Sequence, residues 1–290
     1  MNIDVLVDVK TKLGEGPLWD VESQRLYWLD GVAGTIFRCA PDGSEVRAWD
    51  LPSRIGSMAL REAGGALVAL ANGLHLFDFE AGKLTFVADP ESDKPNNCLN
   101  DGKVDRQGRF VVGSMDSNER DPTGGLYLVD TDLGVSQLDD GIICSNGPCW
   151  SPDGKTMYFQ DSYAGEIRAY AYGTETGAVR DRRVFATLGT DSGAADGSTV
   201  DEEGYLWNAQ VFDGKIVRYS PDGQIDRVIE MPVLKVTSVM FGGPNLDALY
   251  VTSMGTQLQP HFPADGILRG SLFVITGLGV KGLPERRFAG

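Results

Sequence analysis

The chain of 290 residues carries a formal charge of −15, and 42% of its residues are apolar. That apolar share supports a sizeable core, whereas so acidic a surface repels phosphate backbones and anionic lipid, which argues against nucleic-acid and membrane partners. No stretch approaches the roughly 18 consecutive apolar residues of a membrane span. The opening MNIDVLVDVKTKLGEG lacks the basic stretch, apolar run and small-residue cleavage site of an export signal, so a cytoplasmic location is expected.

Residues 2–9, NIDVLVDV, read as a first β-strand. Six hairpin-like segments follow. They are EGPLWDVESQRLYWLDG from Glu15, IGSMALREAGGALVALANG from Ile55 and NDGKVDRQGRFVVGSMD from Asn100, then NGPCWSPDGKTMYFQDS from Asn146, DGSTVDEEGYLWNAQV from Asp196 and TSVMFGGPNLDALYVTSM from Thr237. Their starting residues are 40, 45, 46, 50 and 41 positions apart. Each joins an apolar strand to a second one through a turn rich in Gly, Asp and Pro. Two further β-like runs follow in most units, as in GTIFRCAPDGSEVRAWDLP and GKIVRYSPDGQIDRVIEMP. No segment sustains a 3.6-residue period, so helices are expected to be minor. Four strands in each of six units predict an all-β, six-bladed β-propeller forming one domain over residues 1–290. The strand at residues 2–9 is expected to pair with the last blade, which closes the ring and removes an exposed edge.

In such a ring the first strand of every blade lines the central channel. Its first position reads Glu15, Ile55, Asn100, Asn146, Asp196 and Thr237 around the six blades. Four of these offer hard oxygen donors, and radial symmetry aims them at one axis. Carboxylates and amides without thiolate or imidazole suit Ca²⁺, Mg²⁺ or Mn²⁺. Each residue taken alone reads equally as a turn cap; four in register favour a shared cation.

Other polar residues carry less. Cys39, Cys98, Cys144 and Cys149 are spaced for neither a redox pair nor a zinc site, and are expected to be reduced and buried. Asp101 and Asp161 read as backbone caps, the loop at 116–118 as a candidate substrate contact, and His261 in QLQPHFPADG as a surface residue. Trp19, Trp28, Trp150 and Trp207 are expected to pack between blades.

The motifs LGEGPLW at 13–19, NDGKVDRQGRFVVGSM at 100–115, NGPCWSPDGKTMYFQDS at 146–162 and DGSTVDEEGYLW at 196–207 resemble the SMP-30/gluconolactonase family of regucalcin-like sugar lactonases, and the resemblance extends over about residues 10–275. It implies hydrolysis of a small-molecule aldonolactone to the aldonic acid at one divalent metal ion. Ca²⁺ is the first expectation, with Zn²⁺, Mn²⁺, Mg²⁺ or Fe²⁺ used by other members of the family. The resemblance puts the metal on Glu15, Asn146 and Asp196, with Asn100 as a further ligand or substrate contact. Asp196 is the candidate general base. Two departures bear on specificity: Cys98 stands where many members have an Arg, and Asn118 where some have a Glu, so the substrate-binding set is read as Asn100, Asn118 and Cys98. A metal-dependent arylesterase or phosphotriesterase and a non-catalytic cation-binding scaffold are the alternatives. The oligomeric state is left open.

Overall fold

Short apolar runs separated by Gly- and Asp-rich turns form twenty-four strands in the computed structural model, which describes residues 1–188, 193–258 and 262–290. His261 lies outside the described residues. The strands make six four-stranded antiparallel sheets arranged as the blades of a β-propeller. Five sheets take four consecutive strands each. The sixth is composite: β22 (Val236–Gly242), β23 (Ala248–Ser253) and β24 (Leu272–Thr276) are completed at the outer edge by β1 (Asn2–Val7). Asn2 pairs with Thr276 and Ile3 with Ile275, so the edge of the last blade is covered, as the sequence predicts. No helix among the described residues is long and apolar enough to cross a membrane.

The innermost strands are β2 (Gly14–Asp20), β6 (Ile55–Leu60), β10 (Asn97–Val104), β14 (Ser145–Trp150), β18 (Ala194–Val200) and β22, and neighbouring members touch around a common axis. Apolar clusters fill the wedges between blades. Trp19 stacks on Tyr250 of the sixth blade at 5.9 Å between ring centres, and Trp207 of the fifth meets Phe241 of the sixth edge-on at 5.5 Å. Trp28 and Trp150 belong to clusters that likewise span two blades.

The inner hairpin turns, on the far side of the ring from the strand starts, are held by side chains. Asp105 Oδ1 accepts hydrogen bonds from the amides of Gln107 and Arg109, at 2.8 and 2.9 Å, and Asp201 Oδ1 accepts from Glu203 and Tyr205 at 3.0 and 2.9 Å. Both are Asx-type turns, which is why DRQGR and DEEGY recur at the same place in two blades. The tail after β24 runs across this far face. It bonds Glu202 of blade five from Lys281 (2.8 Å), Leu246 of blade six from Gly282 (2.8 Å), Leu60 of blade two from Phe288 (2.7 Å) and Gly108 of blade three from Ala289 (2.9 Å). Arg287 adds an ion pair to Asp20 of blade one at 2.7 Å.

All four cysteines are free and buried. Burial pushes the thiols of Cys39 and Cys149 up to about 12 and raises that of Cys144 well above its ordinary value. A thiol held protonated and out of solvent is a poor nucleophile. Ellman's reagent is therefore expected to label the native protein slowly and to count four thiols after denaturation; rapid native labelling would contradict this packing.

Candidate metal and substrate site

Every innermost strand breaks register just after it enters the ring. The irregularity lies between Glu15 and Leu18 in β2, Ile55 and Ser57 in β6, Leu99 and Gly102 in β10, Asn146 and Cys149 in β14, Ala195 and Ser198 in β18, and Val236 and Val239 in β22. A bulge turns the residues beside it out of the ladder and re-aims their side chains. Glycine makes this possible in β2 and β14. Gly16 and Gly147 sit at φ of 50° and 58°, the left-handed region that side chains disfavour, and a Cβ on Gly147 would fall 2.9 Å from the Asp196 carbonyl. The pairs Glu15-Gly16 and Asn146-Gly147 are thus one device in two opposite blades.

These bulges bring Glu15, Asn100, Asn146 and Asp196 to one cavity of about 220 Å³ at the channel mouth. Asn146 is fixed by donation from Nδ2 to Ser162 Oγ at 2.8 Å, which leaves its carbonyl oxygen to the cavity side, where Asn100 Nδ2 approaches at 3.3 Å. Asn100 Nδ2 also donates to the Ser145 carbonyl at 2.9 Å. The Asp196 backbone is tied by Asn208 Nδ2 at 2.9 Å. Just inside, Asp101 accepts the amides of Gly102 and Gly147, each at 2.8 Å, and so acts as a backbone cap linking blades three and four.

Burial, then the nearby charges of Asp196 and Asp101, push the Glu15 carboxyl well above its ordinary range. Burial, then Asp101, does the same to Asp196. Two acids that repel each other in a site shielded from water want a cation. The donor set fits one: two carboxylates and an amide oxygen, with no sulfur or imidazole among them, match a hard divalent ion. No group of three or more His, Cys, Asp or Glu suited to a metal occurs among the described residues. A third protein donor to an ion at this place would be the Asn146 amide, which would keep the formal charge of the set at −2.

The rest of the wall divides into a polar arc and an apolar one. Arg54, Ser117, Glu119 and Tyr163 line the polar arc, and Glu119 accepts the Tyr163 hydroxyl. Val211, Phe212, Met254, Leu258 and Phe262 line the other, with the rings of Phe212 and Phe262 4.5 Å apart. Glu119 and Phe212 hold φ of 57° and 75°, which for an aromatic residue is a marked departure. Such backbone is found where function fixes a side chain's direction.

Two sequence expectations, those for Cys98 and Asn118, meet a different arrangement. Cys98 does not reach the cavity. Its side chain packs with Met115 and Cys144, and those two form the wall instead, because a thiol is too short to pass them. Asn118 is turned aside to donate to Asp116 at 3.4 Å, while its neighbours Ser117 and Glu119 face the cavity. Thus a carboxylate does stand at this mouth loop, one position later than the motif alignment suggests. Asp161 caps backbone as the sequence suggests, accepting the amides of Ile143 and Cys144 at 3.1 Å each. Arg54 and Glu119 escaped the sequence reading. Arg54 immediately precedes Ile55, the residue that the repeat places at the mouth.

The chain resembles known proteins along its whole length. Regucalcin of Xenopus laevis is 35% identical over 296 residues, covering 100% of this chain and 99% of the relative. L-arabinolactonase of Azospirillum brasilense is 37% identical over 291 residues, covering 99% and 95%. Among solved structures, the calcium-binding protein regucalcin of Agrobacterium tumefaciens superposes with a TM-score of 0.91 at 30% identity, covering 99% and 97%. The family model for the SMP-30/gluconolactonase/LRE-like region matches residues 13–255, a span that holds all four oxygen donors of the mouth. Blade count, ring closure and these matches agree, and the chain belongs to the SMP-30/gluconolactonase/LRE-like family.

Proposed function

We propose that the protein is a lactonase that opens a sugar-derived lactone to its hydroxy acid, using one divalent cation held by Glu15, Asn146 and Asp196. The convergence of a buried carboxylate, a half-buried one that it repels and an amide oxygen on one small cavity carries this reading. The arabinolactonase relative supports the substrate class, and the calcium-binding regucalcin structure supports Ca²⁺ as the resident ion.

When bound, the cation would supply Lewis-acid polarisation of the lactone carbonyl. Asp196 takes a proton from the attacking water, the general-base role of a carboxylate placed beside the reacting centre. Water oxygen bonds to the acyl carbon, the ring C–O bond breaks, and the proton passes to the departing alkoxide. Asn100 holds the substrate beside Asn146, with Nδ2 already engaged and its carbonyl oxygen left for a substrate hydroxyl.

Chelation tests the reading directly. Metal-stripped protein is expected to lose aldonolactone hydrolysis, measured by acid release at constant pH, and to regain it with Ca²⁺ or another divalent ion. Hydrolysis that survives exhaustive chelation would sink the metal-dependent mechanism. Cation binding with no turnover of any aldonolactone would favour the scaffold alternative, and turnover only of aryl esters or phosphotriesters the esterase one.

A further inference from the structure

We infer that Arg54 of the second blade is the cationic group that grips the substrate's hydroxyl oxygens, taking over from the strand position that Cys98 occupies here. This rests on the lactonase reading and goes beyond it by naming a specificity residue. Three observations carry it. Arg54 lines the same cavity as Glu15, Asn100, Asn146 and Asp196. Its Nε is buried with no hydrogen-bond partner, which leaves a donor free for a ligand or an ordered water. Neither Glu15 nor Asp196 takes it as an ion-pair partner, and Glu119 is engaged by Tyr163.

The backbone under Arg54 is held firmly. Its carbonyl accepts the Ala71 amide at 3.2 Å, and the next residue, Ile55, donates to the Gly31 carbonyl of blade one at 3.0 Å. The guanidinium is therefore presented from a pinned strand entry rather than from a loose loop. A planar fork of five N–H donors matches two neighbouring oxygens, as in the vicinal hydroxyls of an aldonolactone ring, and it accepts nothing in return. Across the cavity, the Phe212–Phe262 pair offers a surface for the C–H face of such a ring. Cys98, under Met115 and Cys144, has neither the reach nor the charge for this task.

The experiment compares two six-membered lactones in the presence of Ca²⁺: glucono-1,5-lactone, rich in hydroxyls, and δ-valerolactone, which has none. For Arg54→Met, kcat/KM for gluconolactone is expected to fall on the order of 10- to 100-fold, mostly through KM, because a hydrogen bond to a charged group is lost. δ-Valerolactone should be hydrolysed as by the wild type. Arg54→Lys keeps the charge and the aliphatic stem; it is expected to lose less and replaces the Met variant if that one does not fold. Equal losses on both lactones, or no loss on either, would overturn the assignment. If the wild type hydrolyses neither, the lactonase reading falls, and calorimetric titration with gluconate decides the inference separately. Gluconate affinity that drops in the variant keeps Arg54 as the grip; unchanged affinity, or no gluconate binding by the wild type, removes it.

Discussion

Asp196→Ala is expected to lower kcat/KM for an aldonolactone by on the order of 10³-fold or more, since the change removes a proton acceptor and a cation donor together. Asp196→Asn separates the two roles. The amide retains an oxygen for the ion but cannot take a proton, so Ca²⁺ affinity measured by calorimetry should fall modestly while turnover stays abolished. If the Asn variant turns over at near the wild-type rate, Asp196 is a ligand only, and the proton is taken elsewhere. Because Asp196 lies on a strand whose backbone is tied by Asn208, neither change should alter the melting temperature by much.

The second large effect lies at the other face of the ring and concerns stability alone. Asp201 is fully buried; its Oδ2 accepts Trp207 Nε1 at 2.8 Å and Arg218 Nε and Nη2 at 2.9 and 2.7 Å. Arg218 is itself 4% exposed and lies over the Tyr205 ring at 3.7 Å. Burial works against its charge, and the hydrogen bonds it donates to Asp226, Glu203 and Asp201 more than offset this, holding its pKa above the ordinary value. Asp201→Ala strips the innermost of those partners, leaves the indole donor unsatisfied and removes the cap of the turn at 201–205. Breaking a buried ion pair by deleting one member costs about 3–5 kcal/mol. For a chain of this size, that corresponds to a fall in melting temperature of roughly 10 °C. Denaturant titration of the variant checks it; a loss below about 1 kcal/mol would mean that Asp226 and Glu203 suffice. Lactone turnover well below the melting point should be unchanged.

The propeller was legible because its physics repeats. Each blade must bury an apolar face against the next, so apolar strands and turn residues recur at intervals that a single sequence displays. The composite last blade was legible for the same reason: β1 reads as a strand, and a ring leaves it only one edge to cover. The meeting of Glu15, Asn100, Asn146 and Asp196 at one cavity follows from symmetry, since strand starts in register share an axis. Loop-borne parts of the site had no such template. Glu119 faces the cavity because the chain takes a left-handed turn there, and alignment by motif counts residues without seeing that turn. Arg54 was missed by one position, because Ile55 occupies the repeat's register while the residue before it supplies the reach. A polar residue followed by Gly, as in Glu15-Gly16, Asn146-Gly147 and Asp196-Gly197, marks the bulge that aims it.

The tail after β24 has a consequence for how the ring comes apart. In open solenoids each unit touches only its neighbours, so they can fray from one end. Here a few consecutive residues serve different blades: Arg287 grips the first, Phe288 the second and Ala289 the third, while Lys281 and Gly282 reach the fifth and sixth. Detaching that strap frees five blades at once, and shifting any of them strains the strap. The propeller should accordingly melt in a single step rather than unzip blade by blade.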